Sequence, residues 1–190
     1  MMVKAWHFVG SRLRDGSLVP PDGKTLVHKG PLVVCKTGFH ASERLIDALQ
    51  YAPGSTICRV VVDKDIIRDR DKLVARKRTI LWRVDGEDLL RQFARNCALE
   101  CVDKWDPPKV VLEYLNTGDP TLRWAARSAA EGVTESAAWS AAWSAARSAA
   151  WSAARSAARS AAWSAAWSAA ESVQNKNLTK MVNAARRYKS

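Results

Sequence analysis

The chain predicts an α+β protein. A small mixed β-sheet domain is expected over residues 1–84, a helical connector over 85–118, a long alanine-rich helix over 119–172 and a basic helix or tail over 173–190. Three observations carry this. Short β-branched and aromatic runs broken by Gly and Pro fill the first part, and a broad apolar stripe at helical spacing follows Asp85. From Glu135 to Ser172 a Ser-Ala-Ala-X tetrad then repeats nine times, with X limited to Trp, Arg and Glu.

Val3 to Val9 reads as the first strand, followed by a loop with Pro20-Pro21 and Asp22-Gly23. Short strands are expected at Leu26–Val27 and at Leu32–Cys35. Ser42 is the expected N-cap of a helix running to about Tyr51, with Glu43 in its first turn. Thr56 to Val62 (TICRVVV) is nearly continuous in β-branched residues, which predicts a central strand. A further strand region falls within Leu73–Val84, and Arg76-Lys77-Arg78 forms a basic knot in it. Asp85 caps a helix over about 86–104, in which Leu89, Phe93, Cys97 and Cys101 recur every fourth residue, so both cysteines read as packing groups. A short helix from Pro108 ends at Asn116-Thr117-Gly118. Asp119-Pro120 restarts the chain as N-cap and first helical residue.

The repeat contains no Gly or Pro and is rich in alanine, the best helix former, so helix is expected rather than a silk-like sheet. A continuous helix from Pro120 to Ser172 would run about 80 Å. Four residues turn a helix by about 400°, so each X is rotated about 40° past the last. Trp139, Trp143, Trp151, Trp163 and Trp167 therefore cannot share one straight face. Either the partner surface winds with them as a right-handed coiled coil, or the helix unwinds locally, or shorter helices stack. A kink is expected at Gly132-Val133-Thr134. Tryptophans around an isolated rod would leave an apolar surface that soluble monomers avoid. Homo-oligomerisation through Trp139, Trp143, Arg147, Trp151, Arg155, Arg159, Trp163 and Trp167 is the expected outcome, with Trp and Arg four apart able to stack.

The net charge is +11, and its excess is densest after residue 118, with 10 basic against 4 acidic residues there. That balance suits nucleic acid or acidic protein surfaces as partners. No apolar run approaches the roughly 20 residues needed to span a bilayer, so no membrane partner is expected. Four cysteines without CxxC spacing, and a Met1 that leads straight into a strand, predict reduced thiols and a cytoplasmic protein.

His40, in Gly38-Phe39-His40-Ala41 between strand and helix, is the leading candidate for acid–base or anion chemistry, and His7 is the second. Cys35 is expected beside them. The opposing reading is that His40 packs or caps a turn. No phosphate loop, Ser-His-Asp arrangement or zinc-spaced Cys/His set is present, and no cofactor or metal is expected. The Gly38-Phe39-His40 segment, with a histidine on an early strand, resembles ADP-ribosyltransferase-like folds, in which such groups flank a nicotinamide pocket. That resemblance implies a nucleotide-dependent enzyme, yet the glutamate such enzymes use is not identifiable here.

Lys4-Ala5-Trp6-His7-Phe8, Cys35-Lys36-Thr37-Gly38-Phe39-His40-Ala41 and Cys58-Arg59-Val60-Val61-Val62 together resemble the N-terminal domain of an uncharacterised family of phage and prophage proteins. Its members join a C-x-x-G-F-H module to low-complexity repeats. Asn116-Thr117-Gly118-Asp119 resembles one repeat unit of some relatives, and Leu89–Ala130 is similar to alanine-rich helical proteins described as immunity proteins. The resemblance implies a modular binding protein of viral or mobile-element origin, cytoplasmic in a host cell and acting on a host protein, with His40 its matched polar residue. The function expected is a non-catalytic scaffold that self-associates through the repeat. A nucleic-acid-binding accessory protein and a nucleotide-dependent enzyme are the alternatives.

Overall fold

The computed structural model describes residues 2–100, 102, 107–130 and 156–187, the last segment with side chains from residue 169 on. The class is α+β, an antiparallel sheet domain followed by helices. The strands are β1 (Val3–Val9), β2 (Thr25–Val27), β3 (Phe39–Ala41), β4 (Thr56–Asp63), β5 (Ile67–Arg68), β6 (Leu73–Ala75) and β7 (Lys77–Asp85). The helices are α1 (Leu45–Leu49), α2 (Glu87–Leu99), α3 (Lys109–Thr117), α4 (residues 123–130) and α5 (Ser156–Arg187). The chain divides into two compact units. One comprises Met1–Leu90 and Glu171–Ser190, the other Arg91–Ala170.

In the first unit one sheet has the order β1-β4-β7-β2 and a second the order β3-β6-β5. A mixed sheet was expected, and every described ladder is antiparallel. The strand expected to be central, β4, lies between β1 and β7. Its alternating residues face two cores. Cys58, Val60 and Val62 join Ala5, Val9 and Ile80 against Ala41, Leu73 and Ala75 of the second sheet. Burying each such aliphatic side chain contributes about 1.5–3 kcal/mol. The opposite face carries Trp6, Phe8, Ile57 and Val84, all buried.

That opposite face is where α1 and the end of α5 lie. The Ile46 N–H donates to Asn175 Oδ1 at 3.1 Å, Arg44 meets Glu171 at 3.4 Å, and the Arg186 guanidinium sits 4.8 Å above the Trp82 ring. Leu178 and Val182, four residues apart and so on one side of the helix, are both fully buried. The basic helix expected over 173–190 is thus the final part of a 32-residue helix that closes the sheet. Among the described residues no helix is long and apolar enough to cross a membrane.

Two local expectations are corrected. Ser42 is not the N-cap of α1: Arg44 takes that position, without a side-chain bond to the helix. Ser42 instead exchanges two backbone hydrogen bonds with Trp6, at 2.7 and 2.9 Å, which ties β1 to the end of β3. No strand forms at Leu32–Cys35. Thr37 and Lys36 donate to the Val33 carbonyl in a tight turn, and Cys35 adopts φ 65°, a left-handed conformation no ladder accommodates.

In the second unit Val111, Leu115 and Ala126 form a small core. Gly118 ends α3 as expected, at φ 69° with its N–H bonded to the Tyr114 carbonyl at 2.8 Å. Asp119 Oδ1 accepts the Thr121 N–H at 2.8 Å, but a turn intervenes and the helix begins at residue 123 rather than at Pro120. Cys101 and the kink expected at Gly132-Val133-Thr134 lie outside the described residues.

Leu178→Ala should destabilise the protein by about 2–5 kcal/mol, because the cavity opens where the sheet is sealed. The exposed neighbour change Lys180→Ala should stay within about 0.5 kcal/mol. Urea unfolding of the two variants checks this, and an equal effect of both would contradict the docking of α5.

Candidate functional site

Alternation along β1 sends Ala5, His7 and Val9 toward the second sheet. His7 lies opposite Cys58 on β4, and two residues further along β4 and again further on, Val62 lies opposite Arg78 on β7. Arg78 shares its face with Ile80, so the basic knot read in the sequence sends one guanidinium inward, where only 6% of the residue remains exposed. A register shift between Arg59 and Val60 sets Trp82 opposite Arg59 and Ile80 opposite Val60, leaving Leu81 as the extra residue. Beyond that bulge the phase of β7 reverses. Trp82 therefore stacks edge-on with Trp6 on the other face, at 5.7 Å between ring centroids.

The bridge between Trp6 and Ser42 brings β3 alongside β1, and with it His40. Arg78 Nη1 donates to the His40 carbonyl at 3.0 Å, and its guanidinium lies 5.1 Å above the Phe39 ring. Desolvation lowers the Arg78 pKa to about 10, which leaves it charged at neutral pH. The His7 pKa is held well below its ordinary value, first by desolvation, then by the charge of Arg78 and by His40. Burial likewise lowers His40; a hydrogen bond to the Gly38 backbone works against this, while Lys72, Arg78 and Arg14 add to the lowering. Burial pushes the Cys58 thiol up to about 11, which makes it an inert packing group.

The structure thus brings the two expected histidines into one cluster. His40 Nε2 accepts the Cys35 N–H at 2.9 Å. The ring also bonds the Gly38 backbone, which leaves Nδ1 to donate there. Through Nε2 the ring is tied to the turn at Cys35. Cys35 meets His40 through its backbone amide and not its thiol. Its carbonyl is 3.4 Å from Arg14 Nη1, and its side chain is hydrogen-bonded to Lys72. Lys72 also donates to the Tyr51 hydroxyl at 3.0 Å, and these bonds raise its pKa. Among the described residues no group of three His, Cys, Asp or Glu could hold a metal ion.

Arg78, Phe39, Arg14 and Lys72 were not anticipated at this site. The in-phase pair Arg78 and Ile80 was the one available signal for the first of them. Of the repeat residues, Arg159, Trp163 and Trp167 lie on the backbone of α5. Trp139, Trp143, Arg147, Trp151 and Arg155 lie outside the described residues.

Residues 3–92 match the model of a domain of unknown function, DUF7666. The match spans all seven strands, α1 and the start of α2, and so includes every residue of the His7–His40–Arg78 cluster. No curated protein and no solved structure matches the chain.

Two outcomes follow for this cluster. Gly38 sits at φ 103°, and a Cβ there would approach Val74 Cγ2 to 2.5 Å and Leu32 Cδ2 to 2.7 Å. Gly38→Ala should therefore cost at least about 1–3 kcal/mol in urea unfolding. The histidines favour their neutral forms when folded, so the stability they contribute is complete above the unfolded value near pH 6.5. As pH falls below that, the unfolded chain takes up protons first and stability drops, by at most about 1.4 kcal/mol per pH unit for each imidazole. Unfolding midpoints at pH 7.5 and 5.5 should differ in the parent protein and differ less in His7→Gln; equal differences would contradict the burial of neutral His7.

Proposed function

We propose that this protein is a non-catalytic interaction scaffold that self-associates through its tetrad repeat. The observation that carries this is topological. The chain leaves the first unit after Leu90 and re-enters it at Glu171, so in sequence the repeat lies between two parts of that unit. Five tryptophans spaced through such a segment present an apolar row that a second copy can cover. Trp124, at 80% exposure, adds apolar surface from the described part of the second unit.

The use of His40 Nε2 as acceptor for the Cys35 N–H supports this reading over an acid–base enzyme. The resemblance to phage and prophage proteins supports a mobile-element origin and a partner in a host system, and a scaffold of this kind works by raising the effective concentration of its sheet domains. A nucleic-acid partner is the second reading, favoured by the net charge of +11, and it predicts affinity that falls steeply with salt.

Light scattering on the full chain should give a mass above that of the monomer. Replacing Trp139, Trp143, Trp151, Trp163 and Trp167 together with alanine should return it to the monomer while helicity measured by circular dichroism is kept. A monomeric parent protein, or an unchanged assembly after the replacement, refutes self-association through the repeat. Deleting the chain after Gly118 cannot substitute for this test, since it also removes Leu178 and Val182 from the sheet.

A further inference from the structure

The buried Arg78 guanidinium has more hydrogen-bonding capacity than the protein uses. Its Nη1 donates to the His40 carbonyl, and its face covers Phe39. It forms no ion pair among the described residues, where Arg44, Arg68, Lys72, Arg76 and Arg83 all have carboxylate partners. Taking a cation out of water without a carboxylate is strongly unfavourable. Among the described residues Nε and Nη2 have no protein acceptor. Yet no fully buried side-chain nitrogen or oxygen of the described residues lacks a partner. The Nε and Nη2 edge is therefore where this otherwise buried group still reaches solvent.

That edge is the planar fork that receives two oxygens of an oxyanion side by side. The surroundings have the matching sign. His7 is influenced by Arg78 and His40, and His40 by Lys72, Arg78 and Arg14, and no carboxylate figures among these groups. His7 and His40 both keep partial exposure while Arg78 keeps almost none, so the guanidinium lies at the inner end of a polar cluster that remains open to solvent. Cys58, opposite His7, is a neutral thiol and adds no competing negative charge.

We propose that the Nε and Nη2 edge of Arg78, beside His7 and the Phe39–Ala41 strand, binds a small phosphate-type oxyanion, either free phosphate or the phosphate end of a small molecule. The oxyanion supplies the missing counter-charge and excludes water from the guanidinium edge. Arg14 and Lys72 attract it from the surface. The site is independent of assembly through the repeat.

The test uses the full chain, with histidine ring protons followed by NMR across pH in phosphate and in chloride at equal ionic strength. Bound phosphate beside His7 favours the imidazolium, so its titration midpoint should rise in phosphate relative to chloride, with saturation as phosphate increases. Arg78→Lys keeps the charge but removes the fork, and should weaken phosphate binding about tenfold. A nucleoside monophosphate that binds more tightly than inorganic phosphate identifies the ligand as a phosphorylated small molecule, and weaker binding identifies free phosphate. Identical His7 midpoints in phosphate and chloride would overturn the proposal in the parent protein alone, whether or not the variant folds. Unchanged phosphate affinity in a folded Arg78→Lys protein would overturn it as well.

Discussion

The first unit depends on one constraint: β4 buries apolar residues on both of its faces. Cys58, Val60 and Val62 point to one side, and Ile57 with its neighbours Trp6, Phe8 and Val84 fills the other. A sheet exposed on either side would lose the burial that outweighs the conformational entropy of ordering it, about 1–2 kcal/mol per residue for the backbone. The short second sheet covers the first face. The five-residue α1 is too small to cover the second, and the end of α5 does so with Leu178 and Val182. The chain must therefore come back, and everything from Arg91 to Ala170 becomes an excursion between two parts of one folded unit.

The bulge in β7 serves both faces with a single strand. Arg78 and Ile80 lie on the side of the second sheet, whereas Trp82 and Val84, of the same parity in sequence, lie on the side of α5. Without the extra residue at Leu81, Trp82 would point into the space beside His7, and Trp6 would lose its ring partner. Arg59 and Arg186 each lie over one ring of this aromatic pair, with guanidiniums 4.4 Å from the Trp6 ring and 4.8 Å from the Trp82 ring. Such contacts contribute about 0.5–1 kcal/mol at exposed sites and more when desolvated.

What the sequence made legible was local. Continuous β-branching placed β4 at the centre, Asp85 received the Glu87 N–H near the start of α2, and Gly118 closed α3. What it concealed was non-local. Ser42 has the chemistry of a cap, but its backbone pairs with Trp6 across 36 residues of sequence, and a long-range ladder outweighs one capping bond. Leu32–Cys35 has strand composition, but the His40 ring takes the Cys35 N–H that a ladder would need. Arg78 was visible as a charge and not as a buried one, because its direction depends on a bulge three residues later. The α5 docking residues are ordinary amphipathic positions whose target lies more than a hundred residues upstream.

The return of the chain also explains how the repeat ends. Glu171 is the X residue of the ninth tetrad, the only one of the nine that is acidic, and its carboxylate meets Arg44 of α1. From that point the helix presents Leu178 and Val182 at a four-residue interval to the sheet, so the same spacing that organises the repeat carries on as a docking stripe. A tryptophan at position 171 would offer α1 an apolar ring where Arg44 needs a counter-charge; a glutamate there turns the last tetrad into part of the fold. The eight preceding X positions are all Trp or Arg. In a regular helix each such position steps about 40° around the axis from the last, so one straight face cannot hold them all.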